Sequence, residues 1–394
     1  MLNITDKKQE EAIPSYLRLA FRPFFLMGSL YAIIAIALWV YMFQNGQFSS
    51  LQVPALWWHV HEMLFGFAMA IVIGFLLTAV QNWTGVPGTK HWRLLVLVTF
   101  WFLPRLLFWT QAPIALIASI ESLLYVFVAF ELGKRVVQTK KWRNLFFVPL
   151  LLVALLANLA SYGALEGVLP FSSSAVWQAM LWWFALLISV MGGRVIPFFT
   201  EKRFQVEKSQ PIFVLELIAN GSLAALFVVS FFPELMNQIG SILMLAAGIA
   251  QIVRIARWKP FISLKEPLVW SLHLSYFCLP ASLIIRALWQ NAFAQHNALH
   301  LFAIGAIGGV ILAMIARVTM GHTGREIYKG PRMGIAFASV VIAAVIRGLL
   351  VPVFPTHMML LIDISAGLWI LAFGLFVFNF AHMLLRPRVD GHPG

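Results

Sequence analysis

The hydrophobic positions of this chain fall in long runs that recur along almost its whole length. Twelve such runs of about 20 residues are present, the length an α-helix needs to cross about 30 Å of hydrocarbon. They lie near residues 23–43, 57–80, 92–109, 113–134, 144–162, 174–199, 211–232, 235–256, 267–290, 297–320, 333–352 and 356–384. Backbone groups in lipid must be satisfied within the protein, which favours helices. The pattern therefore predicts an all-α, polytopic membrane bundle of about twelve transmembrane helices.

Basic residues occupy alternate connections between these runs and are nearly absent from the others. Short connections rich in Lys and Arg stay in the cytoplasm. An even number of helices with both termini in the cytoplasm is therefore predicted. The basic clusters are Lys7, Lys8, Arg18 and Arg22; Lys90 and Arg93; Lys134, Arg135, Lys140, Lys141 and Arg143; Lys202, Arg203 and Lys208; Arg254, Arg257, Lys259 and Lys265; Arg325, Lys329 and Arg332; and Arg386 and Arg388.

The connections are too short to form a soluble domain. We expect a cytoplasmic N-terminal segment at residues 1–22, a single transmembrane domain at 23–385 and a cytoplasmic tail at 386–394. The first twenty residues are polar and mixed in charge, so the first apolar run is expected to act as a signal anchor rather than as a cleaved signal peptide.

Short sequence matches between apolar runs indicate an internal repeat. Arg194-Val195 matches Arg317-Val318 at an offset of 123 positions. The hypothesis is that three pseudo-repeated four-helix units make up the bundle. At an offset of 239 positions the second run matches the tenth, which pairs Thr84 with Thr323, Gly85 with Gly324, His61 with His300 and Gly66 with Gly305.

The amino-acid composition limits which partners and cofactors the protein is expected to bind. Hydrophobic residues make up 61% of the chain and charged residues 11%, against about a quarter charged in soluble proteins. The net charge of +13 needs no nucleic acid, because anionic membrane lipid attracts basic connections. The single cysteine, Cys278, excludes an intramolecular disulfide, a cysteine-ligated iron–sulfur cluster and a covalent haem attachment motif. Any haem would be bound non-covalently.

Histidines open three of the apolar runs, all on the predicted outer side of the membrane. His59 and His61 open the second run, His296 and His300 the tenth, and His357 the twelfth. On a helix, His59 and His61 point about 200° apart and cannot both face one centre. The match with His300 favours His61 as the inward residue. His296 and His300, four positions apart, share one face.

Two imidazoles on different helices are a suitable pair of axial ligands for haem. His61 and His300 are the predicted ligands of a non-covalent haem b, although each alone could be an interfacial histidine bound to a carbonyl group. Gly66 and Gly305 could make room for the flat ring. The alternative is that these glycines permit close helix packing, which is the commoner use of small residues in membranes.

Charged and sulfur-containing residues near the histidines have two interpretations each. Glu62 could orient an imidazole or move protons, or it could be an acid favoured at a helix N-terminus. Arg105, Arg286 and Arg347 break the alternation of charge and fall toward the outer half of the membrane. They suit either haem propionates or lipid head groups. Met63 lies at the same level and could either pack against its neighbours and lipid, as most methionines do here, or bind copper as a soft ligand.

Five motifs, found in order over nearly the whole chain, resemble those of the NnrS family. The resemblance implies a bacterial inner-membrane protein that contains haem and copper and takes part in denitrification and in tolerance of nitrosative stress. Nitric oxide is then the expected small-molecule ligand, with an electron donor still to be identified. The motifs are Phe21-Arg22-Pro23-Phe24-Phe25; the run from Trp58 to Phe67; the run from Gly74 to Gly85; the run from Gly192 to Thr200; and His300 together with the run from Gly321 to Arg325.

The helix count and the histidine positions are also similar to the large subunit of haem–copper oxidases. In that fold, histidines of the second and tenth helices hold a low-spin haem, an analogy at the level of fold only. The sixth and seventh runs of this chain contain no histidine, whereas the oxidases place copper ligands there. An oxidase-type binuclear centre is therefore not expected, and copper would use His296, His357 or a methionine.

Two classes of function stay open at this stage. The first is a haem protein that binds, senses or turns over nitric oxide or moves electrons, and whether it is an enzyme is left open. The second is a twelve-helix transporter or a metal-delivery protein whose histidines line a pathway. The helix count favours transport, and the lack of a detectable inverted repeat or broken helix disfavours it.

Overall fold

The computed structural model describes residues 11–289 and 291–392. The first ten residues, with Lys7 and Lys8 of the expected N-terminal segment, lie outside the described residues. So do residue 290, where the ninth apolar run was expected to end, and the last two residues of the tail. Every regular element in the described ranges is helical. The prediction of an all-α fold is therefore confirmed.

The long helices follow the predicted apolar runs in order. Among the described residues, ten of them are long and apolar enough to cross a membrane, and α7 is a shorter apolar helix. The 17-residue α3 is in neither group. The chain is thus a multi-pass membrane protein, as predicted. The helices are α1 Phe21–Asn45, α2 Ala55–Thr84, α3 His91–Leu107, α4 Ile114–Gln138, α5 Phe147–Leu165, α6 Ser173–Phe204, α7 Phe213–Val229, α8 Pro233–Arg257, α9 Pro267–Leu288, α10 Ala292–His322, α11 Gly334–Val353 and α12 Met358–Leu385.

In the part of the chain that the structure describes, three helices contain a stretch of π-helix. The stretch in α2, Glu62–Ala68, begins directly after His61, and the one in α10, Leu301–Gly308, begins directly after His300. The third, Ile346–Leu350 in α11, includes Arg347. π-helical turns are rare and frequently occur at functional sites. All three therefore mark residues that the sequence singles out.

The helices α2 and α10 share more than the short sequence match. Their π-helical stretches begin at the same offset of 239 positions. Gly85 and Gly324, at that same offset, both adopt left-handed backbone conformations after their helices, with φ of 72° and 77°. Glycine adopts this conformation without steric strain, and it commonly ends a helix. These features support the equivalence of His61 and His300, while a threefold repeat that includes α6 stays a prediction.

The chain divides into two compact units. Unit 1 holds the described residues up to Ser173, with Ile315–Pro331 and the described residues from Phe376 onward. Within it, α2 packs against α1 and α4, and α4 also packs against α3 and α5. Unit 2 holds Ser174–Met314 and Arg332–Leu375. Within it, α9 packs against α8, α10 and α11.

The Phe-Arg-Pro motif at the start of α1 has a structural role in unit 1. Arg22 is fully buried, and its Nη1 donates hydrogen bonds to the carbonyl groups of Met383, Leu384 and Arg386 at distances of 2.7–3.2 Å. The last carbonyl groups of a helix have no partner within the helix. Arg22 therefore caps the end of α12 with a charged donor.

Candidate functional site

Four charged side chains lie buried together in unit 1. His61 and Glu62 come from α2, Arg105 from the last turn of α3 and Glu121 from α4, and none is more than 4% exposed. We call these four residues the charge cluster. Charged groups inside transmembrane helices are rare, and they usually face one another or a functional pathway.

Arg105 joins the two carboxylates of the charge cluster. Its Nε lies 3.0 Å from Glu62 Oε2, and its Nη1 lies 2.6 Å from Glu121 Oε1. The guanidinium also donates a hydrogen bond to the backbone oxygen of Trp101, at 2.8 Å. Bringing charges out of water is costly unless they are paired at close range. Arg105 is therefore held by its two carboxylates.

Both ring nitrogens of His61 face oxygen atoms. Nδ1 lies 2.8 Å from Glu62 Oε1, while Nε2 lies 2.9 Å from Asn158 Oδ1 and 3.3 Å from Glu121 Oε2. The amide nitrogen of Asn158 donates to Glu121 Oε2 at 2.9 Å, which leaves its oxygen to accept from His61. A histidine can donate from both nitrogens only when it is protonated. The hydrogen bonds therefore favour a positively charged imidazolium at His61.

The charges of the cluster agree with this assignment. Two carboxylates and one guanidinium leave one negative charge, and an imidazolium at His61 neutralises it. An unpaired charge buried at this depth would cost several kcal/mol. The charge cluster thus holds one positive charge in addition to Arg105, here a proton on His61.

Aromatic side chains and a glycine fix the geometry. Tyr31 and Tyr162 donate their hydroxyl groups to Glu62 and Glu121 respectively. Trp57 stacks on the His61 ring at 4.5 Å between centroids. A Cβ atom at Gly66 would lie 2.8 Å from Glu62 Oε2 and 3.2 Å from Arg105 Nη2. In unit 1, Gly66 therefore allows close packing of the charged side chains.

Two residues that contact His61, Glu121 and Asn158, were not predicted from the sequence. Glu121 lies within an apolar run, where a carboxylate is itself a signal of function. Asn158 lies in α5 and is fully buried. Both polar residues are visible in the sequence, but neither belongs to the repeated histidine pattern that selects His61 and His300.

The other two predicted residues at the start of α2 lie apart from these contacts. The half-buried His59 stacks on Trp39 with a centroid distance of 4.3 Å and an angle of 13° between the rings. Met63 is half-buried within the π-helical stretch. The helical spacing explains why His59 and His61 have different surroundings.

A second set of predicted residues comes together in unit 2. The rings of His296 and His300 have centroids 6.0 Å apart, so the two histidines share a face of α10 as their spacing predicts. Arg286 and Arg347 both lie close enough to His296 to act on it electrostatically. We call these four residues the cationic group.

Amides, rather than carboxylates, contact the two arginines of the cationic group. Arg347 donates to Asn297 Oδ1, and Arg286 Nη2 donates to Gln178 Oε1 at 3.1 Å. Arg286 also lies over the ring of Trp182, at 5.1 Å from its centroid. Within residues 11–289 and 291–392, neither arginine forms an ion pair. This is the opposite of the arrangement around Arg105.

The remaining predicted residues of unit 2 have ordinary surroundings. A Cβ at Gly305 would lie 2.5 Å from Cys278 Sγ and 3.0 Å from the Ala344 Cβ, so glycine lets α10 pack closely against α9 and α11. His357 is exposed in the turn Pro355–His357, with its Nδ1 3.1 Å from Thr356 Oγ1. The predicted residues therefore form two sets, one in each unit.

The two sets differ in how well they suit haem. Haem iron binds a neutral imidazole nitrogen, and haem propionates bind cationic groups. In the charge cluster, His61 uses both nitrogens in hydrogen bonds and Arg105 already carries two carboxylates, so this set does not fit haem as arranged. The cationic group offers two imidazoles on one helix face. Arg347 contacts the neighbouring Asn297 and Arg286 contacts Gln178, so two guanidinium groups without carboxylate partners among the described residues are available for propionates, and this set fits.

The fold and the two sets of side chains define a multi-pass helical membrane protein with charges held inside its helices. The family model described as NnrS protein matches residues 15–388. The chain belongs to the NnrS family, and the resemblance seen in the sequence motifs is confirmed. A comparison with curated proteins found no match. Family membership makes this a membrane protein related to the nitric oxide response.

Proposed function

We propose that this protein binds haem b in the bacterial inner membrane and serves the response to nitric oxide during denitrification and nitrosative stress. Membership of the NnrS family supports the physiological role. The observation that carries the haem assignment is the pair His296 and His300 on one face of α10, beside Arg286 and Arg347.

Each residue of the cationic group has a distinct part in the proposal. His300 is the ligand to the iron, and His296, one turn earlier, supports it from the same face. Arg286 and Arg347 pair with the propionates, because each guanidinium contacts an amide oxygen and no carboxylate among the described residues. Bound haem would supply an iron that binds nitric oxide. The chain supplies the orientation of the ring and the counter-charge.

His61, the second predicted ligand, is engaged in hydrogen bonds that iron ligation would disrupt. To bind iron it would have to give up a hydrogen bond to Glu62 or to Asn158 and lose its proton. The charge cluster would then carry one uncompensated negative charge. Participation of His61 therefore requires another cation, and haem ligation by His300 does not depend on it.

A reduced-minus-oxidised visible spectrum of the purified protein tests the haem proposal. We expect a haem b band in the wild type and its loss in His300→Ala. His357→Ala is the matched control, because it removes an exposed histidine from the same unit. A wild type without a haem band, or an unchanged band in His300→Ala, would refute the assignment. His61→Ala reports whether the charge cluster supplies the second ligand.

A metal-delivery protein or transporter is the second candidate function. His61, Glu62 and Glu121 each offer a ligand atom, and these atoms all lie within 4.8 Å of one another. Copper(II) accepts nitrogen and oxygen ligands. Such an ion would replace the proton on His61 and would have to displace Arg105 from the carboxylates. We propose this set for copper ahead of Met63 and His357, which belong to different units.

Copper content of the purified protein distinguishes this second candidate. Glu121→Gln removes one ligand and is expected to lower bound copper to less than a tenth. Glu166→Gln, an exposed acid of the same unit, serves as the control. Equal copper in all three proteins would exclude the charge cluster as the metal site.

The orientation in the membrane is part of the same proposal. The alternation of basic connections supports termini in the cytoplasm and, with them, a position of the cationic group toward the outer leaflet. A fluorescent protein fused after residue 394 folds in the cytoplasm and not after export by the general secretion pathway. Fluorescence of the fusion is expected, and a dark, membrane-inserted fusion would reverse the orientation.

A further inference from the structure

Because the repeat relates α2 to α10, the contacts of Arg105 in unit 1 can be compared with the contacts of the cationic group in unit 2. In unit 1, an arginine of α3 meets a carboxylate of α2, since Arg105 Nε lies 3.0 Å from Glu62 Oε2. In unit 2, Arg347 of α11 meets Asn297 of α10 instead. The position equivalent to Glu62, at the offset of 239, is Leu301. The internal carboxylate is therefore replaced by an apolar side chain.

Leu301 of α10 packs closely against Gly348, the residue that follows Arg347 in α11. A Cβ atom at Gly348 would come within 2.9 Å of the Leu301 Cβ and of its backbone nitrogen. The start of the π-helical stretch in α10 is thus packed directly against the π-helical stretch in α11. Asn297, which accepts a hydrogen bond from Arg347, lies four residues before Leu301 in α10, so a carboxylate on residue 301 would face the same side of the helix. Leucine at this position supplies no charge to pair with the guanidinium.

Arg286 and Arg347 contribute two half-buried positive charges to unit 2. Arg286 and Arg347 are each only partly accessible, and both act on His296. Asn297 is oriented by its own hydrogen bond to the backbone oxygen of Phe293 at 2.7 Å, so it presents its oxygen to Arg347. Neutral amide oxygens solvate a guanidinium but do not cancel its charge. Two positive charges at this depth favour binding of an anion, by charge-assisted hydrogen bonds.

We propose that the cationic group binds one external oxyanion, of carboxylate or phosphate type, in the role that Glu62 plays within unit 1. Arg286 and Arg347 supply the charge, and the half-exposed edge of α10 at His296 and His300 supplies the access. The site does not depend on haem. A haem propionate, a phospholipid head group and a free phosphate carry the same chemistry.

Binding by purified protein tests the proposal with three probes. The probes are inorganic phosphate in detergent, phosphatidylglycerol compared with phosphatidylcholine in nanodiscs, and haem compared with its dimethyl ester, which lacks the carboxylates. Each is read as a shift in the midpoint of thermal unfolding and as bound probe by native mass spectrometry. The probe that binds identifies the source of the oxyanion.

The variants are chosen so that loss of folding is distinguishable from loss of the site. Arg286→Gln/Arg347→Gln is expected to weaken binding of the effective probe at least tenfold. Leu301→Glu supplies the missing internal carboxylate and is expected to abolish binding while keeping both arginines. Leu301→Met, similar in volume, is the matched control and should bind as the wild type does.

The outcome is decided within the same experiment. If no probe binds the wild type more tightly than the double arginine variant, the proposal is wrong. It is also wrong if Leu301→Glu binds the effective probe as tightly as Leu301→Met. Oxyanion binding without any haem band would overturn the proposed haem function and leave this inference intact.

Discussion

Replacing Arg105 by glutamine removes the guanidinium that neutralises both carboxylates of the charge cluster. Glu62 and Glu121 would remain, with one imidazolium at His61 to balance them. The cluster would then carry one uncompensated negative charge at positions that are at most 1% exposed. The expected result is a large loss of stability that depends on pH.

Two estimates of the magnitude agree. Removing one partner of a buried ion pair destabilises a protein by about 3–5 kcal/mol. The variant could also restore neutrality by protonating a carboxyl group. At pH 7 this costs about 4 kcal/mol, because a free glutamic acid has a pKa of about 4.3 and each pH unit is worth about 1.4 kcal/mol. The same step costs about 1 kcal/mol at pH 5.

Thermal unfolding in detergent, followed by tryptophan fluorescence, measures the effect. For a chain of this size, 1 kcal/mol corresponds to about 1–2 °C. We expect the midpoint of Arg105→Gln to fall by about 4–8 °C at pH 7 and by about 1–2 °C at pH 5. Arg93→Gln is the matched control, because Arg93 lies on the same helix with 51% of its side chain exposed. A surface pair contributes at most about 1 kcal/mol.

A double variant sharpens the test. Arg105→Gln/Glu121→Gln again contains one carboxylate and one imidazolium, so it should regain a large part of the lost stability. The charge-balance reasoning is refuted if Arg105→Gln is no less stable than Arg93→Gln. It is equally refuted if the loss is the same at pH 5 and pH 7, or if the second substitution restores nothing.

Three further perturbations test individual contacts in the fold. Gly66→Ala should lower the free energy of unfolding by about 1–3 kcal/mol, because the new Cβ would lie 2.8 Å from a carboxylate oxygen of Glu62. Gly221 has open space around it, so Gly221→Ala is the control and should not destabilise the protein. Arg22→Ala should cost about 3 kcal/mol and speed amide hydrogen exchange at the end of α12, and unchanged exchange there would contradict the capping role. The hydrogen bonds from Arg388 lower the pKa of Asp390 to about 2. The interaction of Asp390 with Arg388 therefore stabilises the folded protein fully above the pKa that Asp390 has in the unfolded chain, and this stabilisation is lost as the pH falls toward 2. The difference in stability between the wild type and Asp390→Asn should be constant from pH 7 to pH 5.

The sequence located the helices well because membrane burial leaves a strong one-dimensional signal. Each apolar run of about 20 residues must become a helix to satisfy its backbone in lipid. The shorter α7, Phe213–Val229, was still found because its composition is strongly apolar. The π-helical stretches were not predicted, since hydrophobic periodicity does not distinguish one extra residue in a turn.

The candidate site was predicted in part. The sequence selected Glu62, His61 and Arg105, and the structure brings these three together with Glu121, which had not been selected. Their chemistry depends on contacts between α2, α3, α4 and α5, which are far apart in sequence. Arg105, Arg286 and Arg347 look alike as single positive residues in apolar runs, yet among the described residues only Arg105 has carboxylate partners.

By itself, then, the sequence determined the helical membrane fold, the family and the two helices that carry the histidines, because those properties follow from local composition and short motifs. Tertiary structure alone decided which side chains neutralise each other. It turned His61 into a donor to two oxygen atoms and left Arg286 and Arg347 with amides. The physical reason is that electrostatic energy falls off with distance in space, and helix packing sets those distances.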